Sequence, residues 1–301
     1  MALTEMERKE LQSVLDRTGA HREAGKKEKV VPDDYLAYGN LVTRETVLVE
    51  VPSVNVPVEC YITKAKDRQP GCPVHVNMHG GGFVFLQDED DDRYCARLAA
   101  EIHGIVVDIN YASSLKHPYP VALEQCCEVM RWTFKQCEAW EADAGRVSMG
   151  GHSAGGCLVA AISLKVAASQ DFQVCLQILD YAANDNYVSL LQENAERSQA
   201  FSLLYADGDK ELLKNPYVSP AYATVEMMAN QPRTLIINAE NCPFCDVNEQ
   251  YGLRLVSAGA EVKMRRFKNS RHGFTVRMVD EWNEAQNLII REILDAGKPS
   301  R

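Results

Sequence analysis

The chain has 301 residues, 46% of them apolar, and a formal net charge of −10. That length and apolar content make one large domain or a core with an insertion, and the acidic balance argues against nucleic acid or an anionic membrane surface as partner. The charged stretch Met1 to Lys29 holds no apolar run that reads as a secretion signal, and no segment is long enough to span a bilayer, so the cytosol is the expected location and the ten cysteines are expected to be mostly reduced packing residues.

Apolar spacing divides the chain as follows. Residues 3–17 place Leu3, Met6, Leu11, Val14 and Leu15 on one side of a helix, and Gly25-Lys26-Lys27-Glu28-Lys29 is a polar break expected to be a solvated loop. A short segment at 33–38 precedes two antiparallel strands, 43–51 and 56–63, and a third strand, 73–78, runs into His79-Gly80-Gly81-Gly82-Phe83. A helix at 92–103 and a buried strand at 105–110 follow, then a long helix over 119–140 with Pro120 near its start. The strand ending at Gly150 enters Gly151-His152-Ser153-Ala154-Gly155-Gly156 and a helix. After a strand at 172–180, the alternation is interrupted over 184–231 and then resumes: strand 234–239, helix 246–258, strand 262–267, helix 279–296. Two leading strands followed by alternating strands and helices predict an open, mostly parallel eight-stranded sheet with helices on both faces. In such sheets the chemistry gathers at the carboxyl ends of the strands. His79, Ser153, the 240s loop and His272 all fall there.

The stretch around Ser153 is a G-x-S-x-G pattern between a strand and a helix, where small residues let the chain turn sharply and hold a serine hydroxyl exposed. Ser153 is therefore the candidate nucleophile. The three glycines after His79 let peptide N–H groups point into a cleft, which acyl transfer needs where an oxyanion forms. Gly81, Gly82 and the N–H of Ala154 are the candidate donors. Among seven histidines, His272 follows the last strand on a loop able to return to the serine, and is the candidate base. His75, His103 and His117 read as structural, and the side chain of His152 is expected to point away from the cleft.

With these motifs in place, the chain resembles the hormone-sensitive-lipase-like family of α/β-hydrolases over most of residues 40–295. The likeness is carried by His79–Phe83, Gly151–Gly156, the segment from Tyr111 through His117-Pro118-Tyr119-Pro120, Asn215–Pro220, Ala239-Glu240 and His272-Gly273-Phe274. It implies a hydrolase core (residues 41–183 and 232–301) under a helical cap built from residues 1–40 and 184–231. It further implies a serine carboxylesterase acting on short-chain, acetyl-like esters, with a small-molecule ester as its partner and with no cofactor and no metal. The oligomeric state stays open, a homodimer included.

The likeness breaks at the acid. The family's catalytic Asp opens an Asp-Pro-Leu motif after Ala-Glu, whereas this chain reads Ala239-Glu240-Asn241-Cys242-Pro243-Phe244-Cys245-Asp246, so the acid position falls on Cys242. Asp246, one helical turn on, is the leading substitute and Glu240 the next. A site with no acid, or with a Cys242 thiolate, stays open. Cys242-x-x-Cys245 reads first as two buried thiols in a turn and second as a redox pair. Ala112–Lys116 stands where the family has Arg-Leu-Ala-Pro-Glu, which predicts an altered loop. Asp88–Asp92 reads as a helix start, or as an acidic rim that disfavours anionic esters. The alternative to an esterase is a catalytically weakened ligand-binding protein on the same scaffold. The plant gibberellin receptors of this family are such proteins, but they lack the histidine retained here. Amidase or other acyl-transfer chemistry would use the same groups.

Overall fold

A computed structural model describes residues 2–27, 31–192 and 195–297, with the backbone alone for 20–27. The strands are β1 (Val42–Val49), β2 (Val58–Ala65), β3 (Cys72–Met78), β4 (Ile105–Asn110), β5 (Ala142–His152), β6 (Leu176–Asp180), β7 (Thr234–Asn241) and β8 (Val262–Arg271). The helices are α1 (Glu5–Lys27), α2 (Asp33–Leu36), α3 (Glu89–Glu101), α4 (Val121–Gln136), α5 (Ala154–Ser169), α6 (Glu196–Tyr205), α7 (Cys245–Ser257), α8 (Phe274–Arg277) and α9 (Trp282–Asp295).

The eight strands form one sheet in the order β1-β2-β4-β3-β5-β6-β7-β8. β2 pairs antiparallel with β1 and β4, and every pairing from β4 to β8 is parallel. All residues of β3 and β6 are buried, as strands covered on both faces must be. The polar side chains inside β3 are satisfied within the sheet. Asn77 donates to Asp108 Oδ1 at 2.7 Å, and His75 Nδ1 lies 2.9 Å from Ser148 Oγ. Burial holds the His75 imidazole neutral, at a pKa of about 3.

The chain leaves β3 toward β4 on one side and returns past it to β5 on the other. Right-handed crossovers therefore put α3 and α4 on opposite faces, and the gap at the carboxyl ends of β3 and β5 is where a ligand fits. The register completes the placement. Met78 pairs with Gly151, His152 with Asp180, Asp180 with Ile237, and Asn241 with Arg271. The residues just beyond these pairs, His79, Ser153, Tyr181, Cys242 and His272, emerge along one edge.

Over that edge, α1 packs on α6. Leu15, Ala200 and Leu204 form a small buried cluster with Val84, flanked by Leu11, Val14 and Phe201. The Leu3 N–H and the Arg8 guanidinium both reach Asp207. The expected break at 25–29 is corrected in part: α1 runs through Lys27, and residues 28–29 lie outside the described region. Its long run of Glu, Arg, Lys and Ala favours helix strongly enough to carry Gly19 and Gly25. Residues 172–175, expected as strand, precede β6 without joining it.

Candidate active site

Ser153 stands between the last residue of β5 and the first of α5 at φ 57°, ψ −119°. A side chain holds such a conformation only where its surroundings over-determine it. Glycines make the surroundings this close. A Cβ on Gly155 would fall 1.9 Å from the Met78 carbonyl oxygen, and one on Gly151 would fall 2.5 Å from the Gly155 carbonyl. The Ser153 N–H donates to the Asp180 carbonyl at 3.0 Å, and its own carbonyl accepts from Ala183 at 2.9 Å, so the turn is also tied to β6.

Across the cleft, Ser153 Oγ lies 2.8 Å from His272 Nε2. The imidazole packs edge-on against Tyr181, ring centres 5.0 Å apart, with Phe244 at 5.8 Å. The atom facing its Nδ1 is Cys242 Sγ, at 3.1 Å. Burial pushes the Cys242 thiol up to about 12, so it is neutral at physiological pH. A neutral thiol can weakly accept from Nδ1–H or donate to a bare Nδ1. Only the first arrangement leaves Nε2 free to take a proton from the serine. All ten cysteines, Cys242 and Cys245 included, are free thiols.

The structure does not bring the two expected carboxylates to Nδ1. Asp246 is the second residue of α7 and falls on its solvent side: its side chain is 92% exposed and faces Arg266 Nη2 at 3.4 Å. Glu240 pairs with the same guanidinium at 3.2 Å. This corrects the expectation that Asp246 reaches back over one turn. Exposed pairs of this kind contribute little, so Asp246→Asn and Glu240→Gln should each leave kcat within about two-fold of the parent on p-nitrophenyl acetate.

Gly81 and Gly82 take φ values of 125° and 64°. A Cβ on Gly82 would sit 2.4 Å from the Phe201 ring of α6, and Phe83 stacks on Tyr205 with ring centres 3.7 Å apart. The loop thus lies along the cavity wall at Gly80–Gly82, and its outer side supports α6. Ala154, as the first residue of α5, presents an N–H with no acceptor inside the helix. His79 stacks on Tyr111, whose hydroxyl donates to the His79 carbonyl at 2.7 Å, and burial keeps the His79 ring neutral. The unusual segment 112–116 props the same loop. Ser113 Oγ donates to the Val84 carbonyl at 2.6 Å, and the Ser114 N–H to the Phe83 carbonyl at 2.8 Å.

These groups open on one cavity of about 1180 Å³, roofed by Leu15, Phe85 and Phe201 and walled by Tyr181, Phe244 and Val276. Asp88, Asp90 and Asp91 line it on one side and Arg197, Arg271 and Arg277 on another. His152, expected to point away, also lines it: its Nε2 lies 2.8 Å from Asp91 Oδ1. The glycine loop and the start of α3 fold back over the end of β5 and meet the ring. The sequence signal for this contact was the acid three residues after Asp88, a capping spacing. Among the described residues, no group of three or more His, Cys, Asp or Glu is arranged to hold a metal ion, and no helix is long and apolar enough to cross a membrane.

Comparison with known proteins agrees with this fold. A family model described as alpha/beta hydrolase fold matches residues 75–276. The chain is 30% identical to Esterase LipI of Mycobacterium tuberculosis over 75% of its own length and 73% of that protein's. It is 26% identical to an ethyl acetate hydrolase of Pseudomonas putida, covering 79% and 78% of the two chains. Among solved structures, brefeldin A esterase, described as a bacterial homologue of human hormone sensitive lipase, shares the fold with a TM-score of 0.79 at 20% identity, over 94% of this chain and 84% of that one.

Proposed function

Because this chain belongs to the hormone-sensitive-lipase-like family of α/β-hydrolases and is a carboxylic ester hydrolase, we propose that it cleaves short-chain, acetyl-like esters through an acyl-enzyme on Ser153. The observation that carries this reading is the 2.8 Å approach of Ser153 Oγ to His272 Nε2 at a strained turn. Ser153 Oγ adds to the ester carbonyl as its proton passes to Nε2. The resulting oxyanion is held by the N–H groups of Gly81, Gly82 and Ala154. The tetrahedral adduct collapses, the alcohol leaves with the proton from Nε2, and water, deprotonated by the same nitrogen, releases the acid. The likeness to an ethyl acetate hydrolase supports a small acyl group. The cavity volume supports an alcohol portion of drug-like size.

In this reading α1 and α6, from the expected cap segments 1–40 and 184–231, act as the cap, whereas Tyr35 and Tyr38 pack on α3 and α9 of the core. The ten free thiols support work in a reducing compartment such as the cytoplasm. The thiol at Nδ1 is the observation that favours a second reading, a binding protein with residual turnover. A rapid burst of p-nitrophenol from p-nitrophenyl acetate, about one equivalent per chain, with an acetylated Ser153 peptide after acid quench, is the expected result. Absence of both the burst and the acetyl adduct would leave only the binding reading.

A further inference from the structure

We propose that the His152–Asp91 contact is a positioning device, which holds the oxyanion loop at its working distance from Ser153. The inference rests on the esterase reading above. The loop begins at His79 and ends at Asp88, the residue that caps α3. Its entry is fixed by the sheet, since Met78 pairs with Gly151, and by the Tyr111 hydroxyl on the His79 carbonyl. Its exit is tied to Asn110, which accepts from the Gln87 N–H, and to the Asp91 carboxylate. Asp91 Oδ2 accepts from the Asp88 N–H at 3.1 Å, which closes a capping box at the start of α3. The other oxygen of Asp91 lies 2.8 Å from His152 Nε2. His152 is the residue immediately before Ser153.

One buried carboxylate therefore joins the far end of the loop to the strand that carries the serine. The two side chains are 8% and 6% exposed, so water competes weakly for the contact. The imidazole also packs beneath the loop: a Cβ on Gly80 would fall 3.1 Å from His152 Cδ2. The result is a closed ring of contacts: Ser153, His152, Asp91, Asp88, back along the glycines to His79, and through the β3–β5 pairing to the elbow. Donors stabilise an oxyanion only when held about 2.7–3.1 Å from where it forms, and a ring of this kind fixes that distance. His152 and Asp91 act through the loop, so loosening them weakens the transition state and leaves ester binding to the walls of the cavity.

The test uses Asp91→Asn, which keeps an acceptor for the Asp88 N–H, His152→Leu, which deletes the polar partner, and the exchanged pair Asp91→His with His152→Asp. Each is assayed for kcat and KM on p-nitrophenyl acetate, for inhibition by a trifluoromethyl ketone that forms a tetrahedral adduct, and for Tm. In the single variants kcat should fall about ten-fold or more with KM within about three-fold, and the ketone Ki should rise by the factor that kcat falls. The exchanged pair should recover most of both losses. A kcat within about two-fold of the parent in both single variants would overturn the proposal. So would a loss that follows Tm and is not recovered by the exchange. Parent hydrolysis unaffected by Ser153→Ala would mark failure of the esterase reading itself.

Discussion

Cys242→Asp should raise kcat on p-nitrophenyl acetate by about 10²-fold. In the parent, His272 Nδ1 faces a thiol that burial keeps neutral. Such a group neither enforces the tautomer with a bare Nε2 nor stabilises the imidazolium formed when Ser153 gives up its proton. In a serine protease, replacing the triad Asp by Asn costs about 10⁴ in turnover, which sets the ceiling for the gain. The substitution will realise less than that ceiling, because a carboxylate placed where burial drives a thiol up to about 12 is itself opposed by desolvation. The pH dependence follows in sign. An anion at Nδ1 stabilises the imidazolium and raises the pKa of His272, so the acid limb of kcat/KM should move to higher pH while the plateau rises. An unchanged plateau in a variant of parental Tm would remove residue 242 from the acid role.

The second large effect is non-additive. Ser153→Ala should cost about 10²-fold in kcat/KM in the parent but about 10⁴-fold in the Cys242→Asp background. Members of a catalytic unit lose their worth together, since a serine that its base activates poorly has little activity to lose. Equal fold losses in the two backgrounds would show that residue 242 and Ser153 work independently. The residual rate in Ser153→Ala measures what the loop donors and binding supply alone.

The fold was legible because the two kinds of signal it depends on are local. Strands such as 105–110 announce themselves as short apolar runs between polar breaks, and the glycines at 80–82, 151 and 155 mark turns where no Cβ fits. The meeting of Ser153 with His272 was legible for the same reason, each sitting in a short motif just after a strand. Position 242 was legible as the place of the family's acid, whereas the substitute role expected of Asp246 was not met, because it depends on the phase of α7. One turn of helix separates a residue that reaches into the cleft from one that faces solvent, and Asp246 lies on the solvent side with Arg266. The direction of His152 was not legible because it is decided by α3, whose first turn supplies the Asp91 carboxylate from 61 residues earlier. The end of α1 was misplaced because a polar, lysine-rich run suits an exposed helix as well as a loop.

The contact between α6 and the glycine loop joins the roof to the site below. Phe201 rests on Gly82 and Tyr205 on Phe83, so the roof and the glycine loop pack as one piece. We expect any displacement of α6 to strain this loop, because Ser113, Ser114 and Asp91 tie the loop to the core while Phe201 and Tyr205 tie it to the roof. A guest too bulky for α6 to keep its seat on the loop is therefore expected to bind without being cleaved.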